Sequence, residues 1–461
     1  MKKSYISDFL LCFIVVVLAI VFFKFLKPSP KIFIVFIGLS FFFLSFFKTN
    51  LALVVLIFSM LLSPEIVLAE VPSRAVVLRI DDILLIVIFF GWLAKMAVNK
   101  ELGLLKHTPI TGLMLSYIAV CVVSTLIGIL SGIVNPLKSF FYILKYTEYF
   151  LLYFMVANNI DNKEQIKVFI VCFMITAFII CVYALLTVGK FGRATAPFEG
   201  IKGEPNTLGG YLMFMLAIFG GIFLYTSSRR WQIFIGMLLP LMVITLLETL
   251  SRGSYLAFVV MYFTLVALTR RRKIIIIGML ILGVVIFPLT FPNIVKGVKT
   301  RIFYTFSRGK QYDVGIKPVT LEESAASRVE SFKDILRKWA KRPLLGYGVT
   351  GVGLVDTQYP RVLGETGIVG FFIFILLLVR ILQLSFNNLY VLQDDFSLGL
   401  ALGFLAGFIG LLIHSFSANT FIIVRIMEPF WFMAAIVSCL PNLSREENVT
   451  VVPEDSNVAE V

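Results

Sequence analysis

Charge is scarce in this sequence. Of 461 residues only 15% are Asp, Glu, Lys or Arg, against about a quarter in soluble globular domains. With 59% hydrophobic residues and a mean hydropathy of +0.96, that deficit excludes a cytosolic enzyme and excludes a disordered chain. Histidine is rarer still: His107 and His414 are the two present, no cluster has metal-ligand spacing along the chain, and a zinc centre is not expected. Cys12, Cys121, Cys172, Cys181 and Cys439 all lie in apolar runs, without a partner at disulfide or metal-ligand spacing, and read as small core residues.

What the chain has instead is apolar sequence in long blocks, which rules out an outer-membrane barrel with its alternating strands. At about 20 residues per membrane helix, fourteen spans are predicted, near 9–26, 31–47, 50–67, 80–97, 110–130, 138–156, 166–188, 207–226, 231–249, 253–269, 274–291, 367–384, 398–414 and 420–440. The second and third are short enough to form a re-entrant pair. The expected class is an all-α polytopic membrane protein of about 12–14 transmembrane helices with one large external helical loop. Lys2-Lys3 followed by an apolar run resembles a signal peptide, but no small-x-small cleavage site follows, so an uncleaved first span is expected.

Arg270-Arg271-Arg272-Lys273, between two apolar segments, is expected to be cytoplasmic. Alternation then puts Arg229-Arg230, Lys163/Lys167, Lys100/Lys106, Lys48 and Lys2/Lys3 on the same side, with Lys27 and Lys31 the exception. Both termini fall inside. The expected organisation is an N-terminal bundle at 1–291, an external loop at 292–366, three spans at 367–440 and a disordered, acidic cytoplasmic tail at 441–461. The overall charge of +14 is assigned to loops and membrane surfaces, not to nucleic acid.

The external loop holds 13 Lys+Arg against 7 Asp+Glu. The positive-inside rule does not explain such an excess outside, whereas an anionic ligand would. Ser327 to Glu330 fits a capping box, and Val329, Phe332, Ile335, Leu336 and Trp339 form an apolar stripe on a basic helix over 327–341 that Pro343 ends. Such a helix either lies on the membrane surface or roofs a cavity between spans.

Candidate site residues gather on the outer side. Arg252, in the Ser251-Arg252-Gly253 turn, reads either as an interfacial arginine paired with Glu248 at i,i+4 or as an anion-binding group at the mouth of a cavity. Arg193, Arg328 and Arg361 lie near predicted membrane entries. Glu204 precedes Pro205-Asn206-Thr207, where Asn206 or Thr207 is expected to cap the eighth span. For acid–base work the candidates are Asp356, Glu365, Glu199, Glu204, Asp81, Asp82 and His414; Asp356 and Glu365, leading into the twelfth span, are best placed. Asp81 and Asp82 also read as favourable charges at a helix N-terminus, and Arg425 and Glu428 as a buried ion pair. The glycine pattern Gly346-Tyr347-Gly348-Val349-Thr350-Gly351-Val352-Gly353 lacks the strand–loop–helix setting of a nucleotide site.

Three features together resemble the O-antigen ligase/polymerase superfamily of bacterial membrane glycosyltransferases. They are the Ser251-Arg252-Gly253 turn, the Glu204-Pro205-Asn206…Leu208-Gly209 helix start, and a block running from Arg328 through Trp339 and Pro343-Leu344-Leu345-Gly346-Tyr347-Gly348 to Tyr359…Glu365-Thr366-Gly367-Ile368-Val369-Gly370. The resemblance implies a helical bundle roofed by an external loop at the inner membrane, active on its outer face. It also implies a polyprenyl-pyrophosphate-linked glycan donor and a glycan acceptor, without metal, cofactor or nucleotide sugar. Arg193, Arg252, Arg328 and Arg361 match arginines that hold the donor pyrophosphate; Glu204, Tyr359 and His414 are expected substrate contacts. Family ligases carry a histidine in a His-Asn-x-Tyr-like stretch of the loop. Here Asp356-Thr357-Gln358-Tyr359 stands there, and 292–366 contains no histidine. That departure favours an inverting polysaccharide polymerase over a ligase, with a chain-length regulator as a further partner, and makes Asp356 the candidate base. A transporter of lipid-linked oligosaccharide is the more distant alternative.

Overall fold

The computed structural model describes residues 30–69, 76–99, 108–198, 203–307, 310–313, 318–321, 323–353 and 355–450. The N-terminal bundle comprises α1 (Pro30–Phe47), α2 (Thr49–Leu62), α3 (Ile80–Val98), α4 (Thr111–Leu130), α5 (Pro136–Asn158) and α6 (Lys163–Phe191). It continues through α7 (Pro205–Tyr225), α8 (Arg229–Glu248), α9 (Arg252–Leu268) and α10 (Lys273–Thr290). The connection that follows contributes α11 (Pro292–Ser307) and α12 (Glu323–Lys341), and the chain continues with α13 (Gln358–Val391), α14 (Asp395–His414) and α15 (Val424–Thr450). Two short antiparallel hairpins, β1 (Glu65–Ala69) with β2 (Val76–Arg79) and β3 (Lys310–Asp313) with β4 (Pro318–Leu321), sit in connections and leave the all-α class intact.

Every predicted span from the second to the fourteenth coincides with a helix; the first, 9–26, lies outside the described residues. Eight of the described helices are long and apolar enough to cross a membrane. Several boundaries differ from expectation. α2 stops at Leu62 and not at 67, because Ser63 is extended and Pro64 follows. α7 is capped by Glu204 with Pro205 as its first residue, so neither Asn206 nor Thr207 is the cap. α12 starts at Glu323, which places Ser327 and Glu330 inside the helix and removes the capping box; its end at Lys341 is as expected. The expected disordered tail is helical through Thr450, and the remainder lies outside the described residues.

The centre of the bundle is the pair α7 and α14. Gly399, Gly403 and Gly407 recur every fourth residue on α14, and a Cβ on Gly403 would stand 2.5 Å from the Ala217 carbonyl of α7. Small residues at this spacing let two backbones approach, which is how apolar helices associate where lipid offers no hydrophobic contrast.

α13 is broken. Gly367 takes φ 65° and ψ −166°, left-handed space that favours glycine. The Pro343–Gly348 stretch repairs the ladder: Ile368 and Val369 donate to the carbonyls of Pro343 and Leu344 at 2.8 and 3.2 Å. Tyr347 and Gly348 in turn donate to the carbonyls of Gly364 and Glu365 at 3.0 and 2.8 Å. Backbone groups freed at membrane depth must find partners within the protein. The glycine-rich stretch is therefore a plug in a helix break, and Gly346, with φ 67°, has no room for a Cβ against the Gly364 carbonyl at 2.5 Å.

Candidate active site

The Ser251-Arg252-Gly253 turn is built from both sides. Leu250 at φ +50° ends α8, and Arg193 caps that end, its Nε donating to the Thr249 carbonyl and its Nη2 to the Leu250 carbonyl, both at 2.9 Å. A guanidinium suits a helix C-terminus, where unsatisfied carbonyls concentrate partial negative charge. Among the described residues Glu248 forms no ion pair; the break at Leu250 removes the continuous helix that the expected Glu248–Arg252 pair required. Ser251 then caps α9, accepting from the Ser254 N–H at 3.4 Å.

A third arginine joins from a helix that the sequence did not single out. α11 approaches the turn, with Gly297 facing Leu250, and Arg301 on α11 lies within electrostatic range of Arg193. Burial lowers the Arg193 pKa, and the neighbouring charges of Arg301 and Arg252 lower it further. Three guanidinium groups thus share one end of the bundle. The pattern Lys296, Lys299, Arg301 on the amphipathic α11 was the available signal for it.

Below the turn runs a buried chain of hydrogen bonds. Ser251 Oγ donates to Asn206 Oδ1 at 2.8 Å and meets Ser254 Oγ at 2.8 Å; Ser254 Oγ meets His414 Nε2 at 3.2 Å, and His414 Nδ1 meets Thr420 Oγ1 at 2.8 Å. His414 is fully buried, so it serves as the hub joining α7, α9, α14 and the 415–421 segment. Arg328, on α12, lies within electrostatic range of His414. Gly253 permits the contact between turn and segment, since a Cβ there would meet Ser417 Oγ at 1.8 Å.

The same 415–421 segment anchors the residues around Asp356. Asn419 Nδ2 donates to the Val355 carbonyl, the Gln358 N–H to the Ser415 carbonyl at 3.1 Å, and the Phe421 N–H to Gln358 Oε1 at 3.1 Å. Tyr359 is committed as well, its hydroxyl donating to the Leu412 carbonyl at 2.8 Å and its ring resting on Phe416. Asp356 itself is exposed, and among the described residues nothing engages its carboxylate.

The other expected site residues are placed as follows. Glu365 and Arg361 form a buried ion pair at 3.0 Å, Thr350 N–H donates to the same carboxylate oxygen at 2.8 Å, and Arg361 lies over the Tyr142 ring. Glu204 accepts from Thr207 Oγ1 at 3.0 Å at the start of α7. Glu199 lies outside the described residues. Asp81 and Asp82 open α3 as expected, Asp82 accepting from the Arg79 N–H at 2.9 Å. Arg425 does not pair with Glu428: its Nη1 and Nη2 donate to the carbonyls of Leu61, Pro197 and Phe198. α12 packs onto α13 through Ile335, which faces Gly364 and is buried against Val352 and Val355.

Residues 237–375 match the family described as O-Antigen ligase. The matched stretch runs from α8 through Arg252, Arg301, Arg328 and Asp356 to the repaired break in α13, and it supports the O-antigen ligase/polymerase superfamily and a membrane glycosyltransferase-like enzyme with lipid-linked glycan substrates. No curated protein matches the chain.

Proposed function

We propose that this protein is the polymerase kind of that superfamily, extending a polysaccharide on the outer face of the inner membrane, with both its termini in the cytoplasm. The donor glycan's polyprenyl pyrophosphate is held by Arg252, Arg301 and Arg328, with Arg193 fixing the turn that presents Arg252. Planar guanidinium groups suit this task because each offers paired N–H donors to phosphate oxygens. A hydroxyl of the incoming lipid-linked repeat unit gives its proton to Asp356 and attacks the anomeric carbon. The bond to the pyrophosphate oxygen breaks, the leaving charge is stabilised by the arginines, and the sugar inverts. Glu365, paired with Arg361, positions the plug of α13 and stays out of the chemistry.

The observation that carries this reading is the convergence at one turn of Arg193, bonded to the Thr249 and Leu250 carbonyls, of Arg252 two residues on, and of α11, which bears Arg301 and brings Gly297 against Leu250. The 415–421 segment ties that end to the unengaged Asp356. A lipid-linked oligosaccharide transporter calls for paired broken helices around a central path; the break in α13 is instead sealed by the Pro343–Gly348 stretch.

Reconstitution tests it. Purified protein receives polyprenyl-pyrophosphate-linked repeat units, and the products are sized by gel. A ladder of lengthening glycans is expected, lost in Arg252→Ala. Transfer of a preformed glycan to an added acceptor without elongation makes the protein a ligase, and movement of lipid-linked units across vesicles without any product makes it a transporter.

A further inference from the structure

Among the described residues, the buried charges where α2, α3, α5 and α15 meet do not balance. Arg79 Nη2 pairs with Asp81 Oδ2 at 2.7 Å, and Lys145 on α5 pairs with both Asp82 and Glu148, the latter at 3.3 Å. Ser63 Oγ donates to Asp81 Oδ1 at 2.8 Å. Glu428 of α15 completes the group: it is fully buried, and among the described residues neither of its carboxylate oxygens has a hydrogen-bond partner. Among the described residues, four carboxylates, Asp81, Asp82, Glu148 and Glu428, face two cations, Arg79 and Lys145. Arg425, the next basic residue along α15, directs its Nη1 and Nη2 to backbone carbonyls.

Two uncompensated negative charges in a water-poor interior are strongly unfavourable. Yet carboxylate oxygens of Asp81, Asp82 and Glu428 lie within 4.8 Å of one another, a spacing that like charges resist unless a positive charge lies between them. We propose that Asp81, Asp82 and Glu428 bind one hard divalent cation, calcium or magnesium. Its charge equals the deficit. The donor set is all oxygen, with neither histidine nor thiolate, which selects against the softer transition metals. The ion joins the start of α3 to the start of α15, two residues past the Thr420–Ile422 turn that holds His414. It is thus a structural cation beneath the 415–421 segment, separate from the proposed chemistry.

The test uses the full chain in detergent, stripped with EDTA. Thermal unfolding is followed while calcium or magnesium is added, with KCl at matched ionic strength as control. Mass action on a folded-state site is expected to raise Tm by about 3 °C or more. About one metal ion per chain is expected to remain after gel filtration, measured by inductively coupled plasma mass spectrometry. Glu428→Gln, an isosteric neutral replacement, is expected to abolish both effects while melting in EDTA no lower than the EDTA-stripped wild-type chain, because it removes one unbalanced charge. A purely structural Glu428 would instead lose stability on that substitution. No retained metal and no cation-specific shift overturns the proposal, as does a shift that persists undiminished in Glu428→Gln. A protonated-carboxyl infrared band in the wild-type chain, lost in Glu428→Gln, would mean that a proton supplies the missing charge, and would also overturn it.

Discussion

Arg361 Nε lies 3.0 Å from Glu365 Oε1, both residues buried and one helical turn apart just before the break in α13. The pair holds the plug, since Thr350 donates to the same carboxylate oxygen. Glu365→Gln leaves a buried guanidinium without its counter-charge and is expected to cost about 3–5 kcal/mol. The readout is the monodisperse fraction and Tm of the detergent-purified protein. An Arg361→Met, Glu365→Leu double variant, which removes both charges, should recover much of that loss.

Asp356 presents the opposite case. Its carboxylate is exposed and unengaged, so Asp356→Asn should leave Tm unchanged. As the proposed general base, its loss should lower kcat for chain elongation by about 10²–10⁴. Retained elongation at the wild-type rate would remove Asp356 from the mechanism.

Gly253 tests the link between the arginine turn and the 415–421 segment. A Cβ at 253 would lie 1.8 Å from Ser417 Oγ and 2.7 Å from Ser417 Cβ. Gly253→Ala should therefore push the segment away and cut elongation at least about tenfold, a cost of about 1.4 kcal/mol in the transition state. Adding Ser417→Gly removes the clashing atoms, and partial recovery of the rate in the double variant is the expected result.

At the opposite end, Asp394 caps α14, accepting from the Ser397 N–H at 2.9 Å and from Lys163 at 2.8 Å. Burial alone would raise its pKa, but the bonds from Lys163 and Ser397 outweigh it and hold the carboxyl below its usual 3.8. A depressed folded-state pKa means that this stabilisation is complete above the unfolded value and fades as pH falls through the folded one. Melting temperatures from pH 6 down to pH 3 should show a loss in the wild-type chain below about pH 4, reduced in Asp394→Asn, which keeps the cap but not the charge.

The sequence alone determined where helices form. Apolar runs of membrane length leave the backbone no alternative to internal hydrogen bonding, so thirteen predicted spans coincide with helices. It also marked Arg193, Arg252 and Arg328, because cations next to apolar runs are costly enough to stand out. What it could not express is which helices meet. Arg301 joins the arginines only because α11 folds back on Leu250, and Glu428 reaches Asp81 and Asp82 across more than three hundred residues. Glu365 likewise read as an acid–base candidate from its position, and only the fold shows it paired with Arg361 and bonded to the inserted glycine stretch. Local pattern sets backbone hydrogen bonding within a helix, but the fate of a buried charge is decided by what packs against it, and that is a property of the tertiary structure.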